Sequence, residues 1–156
     1  MKGNDKIIET LNALLADELT AISQYMVHSE MCANWGYARL HETVEDRAED
    51  EMKHAEKLIG RIIFLEGKPI VSKLKQMLIG ATVEEQLGHD HKAEAGAIAA
   101  YNAAIKLCFE LADIGTRELL ADILVEEEGH IDWLEAQQDQ IAQMGAALYL
   151  SQQVKA

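Results

Sequence analysis

Gly67-Lys68-Pro69-Ile70-Val71-Ser72-Lys73-Leu74-Lys75-Gln76-Met77-Leu78-Ile79-Gly80-Ala81 is the one long stretch of this chain that reads as neither helix nor short turn. It contains the only proline, Pro69, and has glycine near both ends, which break helical periodicity. Its 15 residues can reach ~50 Å when extended, more than the ~40 Å length of a helix of about 27 residues. The segment can therefore cross a whole helical bundle, leaving the helices before and after it parallel. That is the single-crossover form of a four-helix bundle.

Working outward, little of the chain alternates in the manner of a strand, and helix is expected nearly everywhere else. The first helix is expected from about Asp5 to Asn34, closed near Gly36 in the left-handed conformation. A second runs from about Ala38 to Glu66, and the short connection makes the two antiparallel neighbours. Thr82-Val83-Glu84-Glu85 has the form of a capping box opening a third helix, which runs to near Ala112. Asp113 caps a fourth helix that continues to Met144. Gly145 stops it, and residues 146–154 form a short fifth. The expected fold is all-α, a four-helix bundle over about residues 5–144 with one long crossover and a short C-terminal fifth helix, all within a single domain, 1–156.

The 156 residues suffice for a sizeable core. A formal net charge of -13 speaks against nucleic acid and against anionic membrane surfaces, and suits a protein that attracts cations. No stretch approaches the roughly 20 apolar residues of a membrane span, and Met1 to Thr10 is too polar for a secretory signal, so a cytoplasmic location is expected. Cys32 and Cys108 are isolated and not arranged as C-x-x-C, which excludes a zinc ribbon or rubredoxin-like iron site. Each lies 14 residues beyond a glutamate on antiparallel helices, so they are expected ~40 Å apart, unbridged and buried.

The chemistry is written twice, 76 residues apart. Leu11, Glu18, Tyr25 and Cys32 fall at intervals of seven, and Leu87, Glu94, Tyr101 and Cys108 repeat the same types at the same intervals. Glu51-Met52-Lys53-His54 is answered at that offset by Glu127-Glu128-Gly129-His130. Glu18 shares its helical stripe with Leu11, Leu15, Ile22 and Tyr25, and Glu94 with Leu87, Ile98 and Tyr101. Glu51 lies between Val44 and Leu58, and Glu127 between Leu120 and Leu134, each with a His three residues on. All four carboxylates sit where a core would hold a hydrophobe.

A single E-x-x-H is ordinarily a solvated surface pair; its duplication at a common offset with two more core-facing glutamates is what points to a site. Four converging carboxylates would be forced into protonation by burial and like charge. Two divalent cations cancel their charge. Four Glu and two His suit iron or manganese better than a thiolate-rich structural zinc site. Tyr25 and Tyr101, one heptad from Glu18 and Glu94, either pack or hydrogen-bond site carboxylates. His28, His41, His89 and His91 show no such symmetry and are expected at the surface. Met52 is rotated ~100° from Glu51 and ~200° from His54, so it must leave the bundle interior outward and offer a contact surface.

The chain resembles the bacterioferritins, the haem-containing ferritins of bacteria. The resemblance is carried by Met1-Lys2-Gly3, Asn34-Trp35-Gly36, Asp50-Glu51-Met52-Lys53-His54-Ala55, Phe64-Leu65-Glu66-Gly67 and Glu127-Glu128-Gly129-His130-Ile131-Asp132-Trp133-Leu134-Glu135. It implies a ferritin-like bundle in a 24-subunit shell built from dimers, of this chain alone or mixed with a paralogous subunit. It implies two iron ions per subunit at a ferroxidase centre, Glu18, Glu51 and His54 on one and Glu94, Glu127 and His130 on the other, with Glu51 and Glu127 bridging. Fe(II) would be oxidised there by O2 or H2O2, stored as a ferric mineral, and released by a ferredoxin-type reductant. Met52 would supply one axial sulfur to a haem b shared across a twofold interface.

The chain departs from the family's usual pattern at Glu45-Asp46, where members often carry Tyr-His. An inner-surface iron site would here fall to Asp46, Asp50 and Glu126. The fifth helix carries Ala147, Leu148 and Ser151 where polar pore residues are common, so no iron route is assigned there. Two other readings are a rubrerythrin-like or catalase-like di-metal enzyme that reduces peroxide, and a haem-carrying shell subunit without its own catalysis. The absence of a cysteine-rich module weighs against the first, and the full ligand set against the second.

Overall fold

The computed structural model describes residues 1–156. Five helices follow in order: α1 (Asp5–Trp35), α2 (Ala38–Phe64), α3 (Val83–Glu110), α4 (Ile114–Met144) and α5 (Ala146–Ser151). Each long helix opens or closes on the residues its sequence offers. The Asn4 side chain accepts the Lys6 N–H, Thr82 accepts that of Glu85, and Asp113 accepts that of Thr116. These side-chain acceptors satisfy backbone donors that a helix start leaves free. Gly36, at φ 84°, turns the chain between α1 and α2.

Three helix ends fall short of expectation. α2 stops at Phe64 and not Glu66, because Glu66 itself takes the left-handed conformation (φ 60°) and lets Gly67 N–H donate to Ile62 C=O. α3 stops at Glu110 in the same way, with Ala112 at φ 56° and Asp113 N–H donating to Cys108 C=O. α5 ends at Ser151, three residues before Val154.

The topology follows from how α1 meets its neighbours. Cys32 faces Gln86, Tyr25 faces Glu94 and Glu18 faces Tyr101. Positions rising along α1 thus pair with positions falling along α3, so these helices are antiparallel and α2 and α3 parallel, as a single crossover requires. The crossover runs extended along α1. Its backbone N–H groups at Ile70, Lys75, Leu78 and Gly80 donate to Asn12, Thr20, Gln24 and His28 in turn.

The hydrophobic core is split in two by the polar stripe that the glutamates create. One cluster, with Leu11, Leu15, Leu58, Ile62, Cys108 and Leu120, fills the end near the α1 N-terminus. Another, with Cys32, Leu40, Leu87, Leu134 and Tyr149, fills the opposite end. Both cysteines are buried and free. α5 closes this second end, where Tyr149 O–H donates to Gln137 at 2.9 Å. No helix is long and apolar enough to cross a membrane.

Candidate metal centre

Between the two apolar layers, Glu18 on α1, Glu51 and His54 on α2, Glu94 on α3, and Glu127 and His130 on α4 converge, each at most 4 % exposed. They form two overlapping sets whose ligand atoms lie within 4.8 Å of one another: Glu18, Glu51, His54 and Glu127, and Glu51, Glu94, Glu127 and His130. Glu51 and Glu127 belong to both. His54 Nδ1 lies 2.9 Å from Glu127 and 3.2 Å from Glu51, and His130 Nδ1 lies 3.0 Å from Glu51 and 3.6 Å from Glu127. The two imidazoles stand nearly parallel, 6.0 Å apart between ring centres.

Of the two roles open to the tyrosines, the structure gives both to hydrogen bonding, and crosses them. Tyr25 O–H on α1 donates to Glu94 Oε1 on α3 at 2.5 Å, and Tyr101 O–H on α3 donates to Glu18 Oε1 on α1 at 2.5 Å. Each terminal glutamate thus has one oxygen tied down. The other oxygens, Glu18 Oε2 and Glu94 Oε2, are buried and accept no hydrogen bond, and neither does Glu127 Oε1, although His54 Nδ1 lies 2.9 Å from it. A buried carboxylate oxygen without a donor is costly. Divalent cations would satisfy all three, so the donor set fits iron or a similar hard to borderline metal.

The histidines are held from behind. His54 Nε2 lies 2.7 Å from Glu126 Oε2, and His130 Nε2 lies 3.4 Å from Asp50 Oδ2. A carboxylate can only accept, so Nε2 donates to Glu126 and Nδ1 is the atom left to face the cluster. Asp50 and Glu126 obey the same 76-residue offset as the ligand set, each backing the histidine of the opposite helix. Asp46 is exposed and joins neither them nor another metal-capable group. Met52, one residue from Glu51, is 47 % exposed on the outside of α2.

Burial and crowding move the acidities. Burial, followed by the neighbouring Glu51, lifts the Glu18 carboxyl well above the usual range. Burial lifts Glu127 to about 8 in spite of His54. Burial also raises Glu94, but hydrogen bonds from His130 and Glu127 bring it below its ordinary value. Burial opposes charge on His130, yet Glu51 and Glu94 raise it to about 9; His54 is raised likewise by Glu127, Glu18 and Glu51. The metal-free cluster therefore retains protons near neutrality, and cations would displace them.

His28 departs from its expected surface position. It is fully buried, with Nδ1 2.9 Å from Asp90 Oδ1 and Nε2 accepting the Gly80 N–H at 3.1 Å. Gln24 also donates to Asp90, at 2.8 Å. The heptad run through Gln24 and His28 could have signalled a polar face, but its partner is a crossover backbone that periodicity cannot place. His41, His89 and His91 are half-buried.

Comparison with known proteins places this arrangement. Residues 8–144 match the family described as the ferritin-like domain. The chain is 42% identical over 149 residues to a bacterioferritin of Brucella melitensis, covering 96% of this chain and 92% of that one. It is 42% identical over 151 residues to a bacterioferritin of Rhodobacter capsulatus (95% and 94%), and 40% identical over 152 residues to one of Mycolicibacterium paratuberculosis (97% and 96%).

Proposed function

The chain belongs to the bacterioferritin family, and from that premise we propose that it stores iron, taking Fe(II) as substrate at the cluster and oxidising it there before storage as a ferric mineral within a 24-subunit shell. The observation that carries this reading is the buried set of four glutamates and two histidines, with three carboxylate oxygens that accept no hydrogen bond.

The chain's own residues divide the work. Glu18 with His54 and Glu94 with His130 would each hold one Fe(II), and Glu51 and Glu127, facing both histidines, would bridge. Two substrate ions side by side can each give one electron to a single oxidant. Hydrogen peroxide accepting both electrons and two protons becomes two waters, so the balance closes. Tyr25 and Tyr101 hold the terminal glutamates in position, and Glu126 and Asp50 hold the imidazoles. Asp50 and Glu126, with Asp46 nearby in sequence, mark the side from which Fe(II) would arrive and the product leave.

Met52 presents an exposed thioether, which with that of a second copy of the chain would hold a shared haem. When bound, such a haem supplies a one-electron redox centre.

Stopped-flow mixing of Fe(II) with air-saturated protein tests both assignments. Glu18→Ala is expected to abolish the rapid phase of oxidation. Met52→Leu is expected to remove the haem spectrum and leave that phase intact. Unchanged initial rates in Glu18→Ala would overturn the site, and loss of both signals in Met52→Leu would overturn the role of Met52.

A further inference from the structure

Away from the bundle centre, Glu30 on α1 and His41 and Glu45 on α2 form a further set whose metal-capable atoms lie within 4.8 Å of one another. None of the three takes part in the 76-residue repeat: Lys106, Arg117 and Ala121 stand at the corresponding positions. Glu45 is also one of the two positions at which the chain departs from the family's usual pattern. His41 and Glu45 are four residues apart and share one face of α2. Glu30 lies six residues before the turn at Gly36 and His41 five after it, so the antiparallel α1 brings Glu30 to that face. Both glutamates are exposed and His41 is half-buried.

The imidazole is oriented from behind by a residue that is not itself a ligand. Ser29 is 2 % exposed. Its Oγ lies 2.8 Å and its C=O 3.2 Å from His41 Nδ1, and its hydroxyl donates to the His41 C=O at 3.1 Å. A carbonyl can only accept, so Nδ1 carries the imidazole proton and Nε2 is the bare nitrogen. Metal-binding histidines are held in this manner, with the rear N–H on a main-chain oxygen and the forward nitrogen free.

What Nε2 faces is a second acceptor. Glu45 Oε2 lies 3.8 Å from it, and no hydrogen-bond donor meets the nitrogen. No lysine or arginine pairs with either glutamate; Glu45 has only His41 and Glu30 has no ion-pair partner. A lone pair and two carboxylates thus converge with nothing positive between them, which a cation would supply. One imidazole nitrogen with two carboxylate oxygens and an open side for water suits a borderline divalent ion such as Zn(II) better than the harder Mg(II) or Ca(II).

We propose that Glu30, His41 and Glu45 form a separate metal site for Zn(II), or a divalent cation of the same class, that clasps α1 to α2 beside their turn. It shares no residue with the buried centre and does not depend on the ferroxidase reading.

The test counts ions. Metal-free protein is dialysed to equilibrium against micromolar Zn(II) in physiological salt, and the zinc held per chain is measured for wild type, His41→Gln, Glu45→Gln and Glu42→Gln. The first two variants each remove a ligand. Glu42→Gln removes the same charge one residue from His41, at an exposed position outside the set. The two ligand variants are each expected to hold one zinc per chain fewer than wild type, and Glu42→Gln the wild-type number. An unchanged count in either ligand variant, or an equal loss in Glu42→Gln, would overturn the proposal and leave His41 and Glu45 an ordinary surface pair. The count is read as a difference between chains with the same centre, so a centre that bound no metal would alter the total and leave the difference standing.

Discussion

At the scale of single residues, the centre is a compromise between burial and charge. Glu127, raised to about 8, and His130, raised to about 9, both bind protons more tightly in the folded chain than in the unfolded one. The sign is the same for both. Stability from His130 is full below its ordinary 6.5 and is lost as pH rises through 9, and the cost of ionising Glu127 grows as pH rises from 4.5 through 8. The chelated protein is therefore expected to lose several degrees of Tm between pH 6 and pH 9, with added Co(II) restoring more at pH 8 than at pH 6. Calorimetry across that range checks it; a Tm that climbs with pH in the metal-free protein would contradict the account. That these six side chains converge was legible in the sequence because a common 76-residue offset is visible without a structure. The pairing of Tyr25 with Glu94 and of Tyr101 with Glu18 was not, since it depends on which helices face each other across the core.

At the scale of elements, the crossover is the part that the sequence placed but could not explain. Its length allowed a traverse of the bundle, and its glycines and Pro69 broke helical periodicity, yet nothing local shows what an extended chain would bond to. The answer is the outward face of α1, where Asn12, Thr20, Gln24 and His28 accept its N–H groups one after another. Gln24 does double service, accepting from Leu78 and donating to the buried Asp90. Gln24→Ala leaves the Leu78 N–H unpaired and Asp90 with His28 alone, and is expected to cost about 1–3 kcal/mol of stability. Hydrogen exchange is expected to quicken at Leu78 and Gly80 while the α2 amides stay protected; equal protection in wild type and variant would show that the crossover does not depend on this tie. Helix starts were readable from Thr82 and Asp113 because capping is local. The ends at Glu66 and Ala112 were misjudged by two residues because left-handed conformations at non-glycine positions are set by what the chain must do next.

At the scale of the whole molecule, the single chain presents surface that a solitary bundle has no use for. Met26, Val27, Trp35 and Met52 are exposed on α1 and α2, and Leu148 and Val154 at the C-terminal end. Apolar side chains in such number mark faces that other copies cover. Family membership supplies the expectation of a shell; the charge of -13 supplies a reason for cations to gather at it. The central claim is that each chain combines an oxidising centre with a place in a storage cage. It is tested most directly by adding a large excess of Fe(II) in air to the purified protein and measuring the iron that co-elutes on a sizing column. The account predicts an assembly of about 415 kDa, twenty-four times the 17.3 kDa chain, carrying far more than two irons per chain. A small oligomer that retains only two metals per chain would contradict it, leaving a di-metal enzyme on the same bundle.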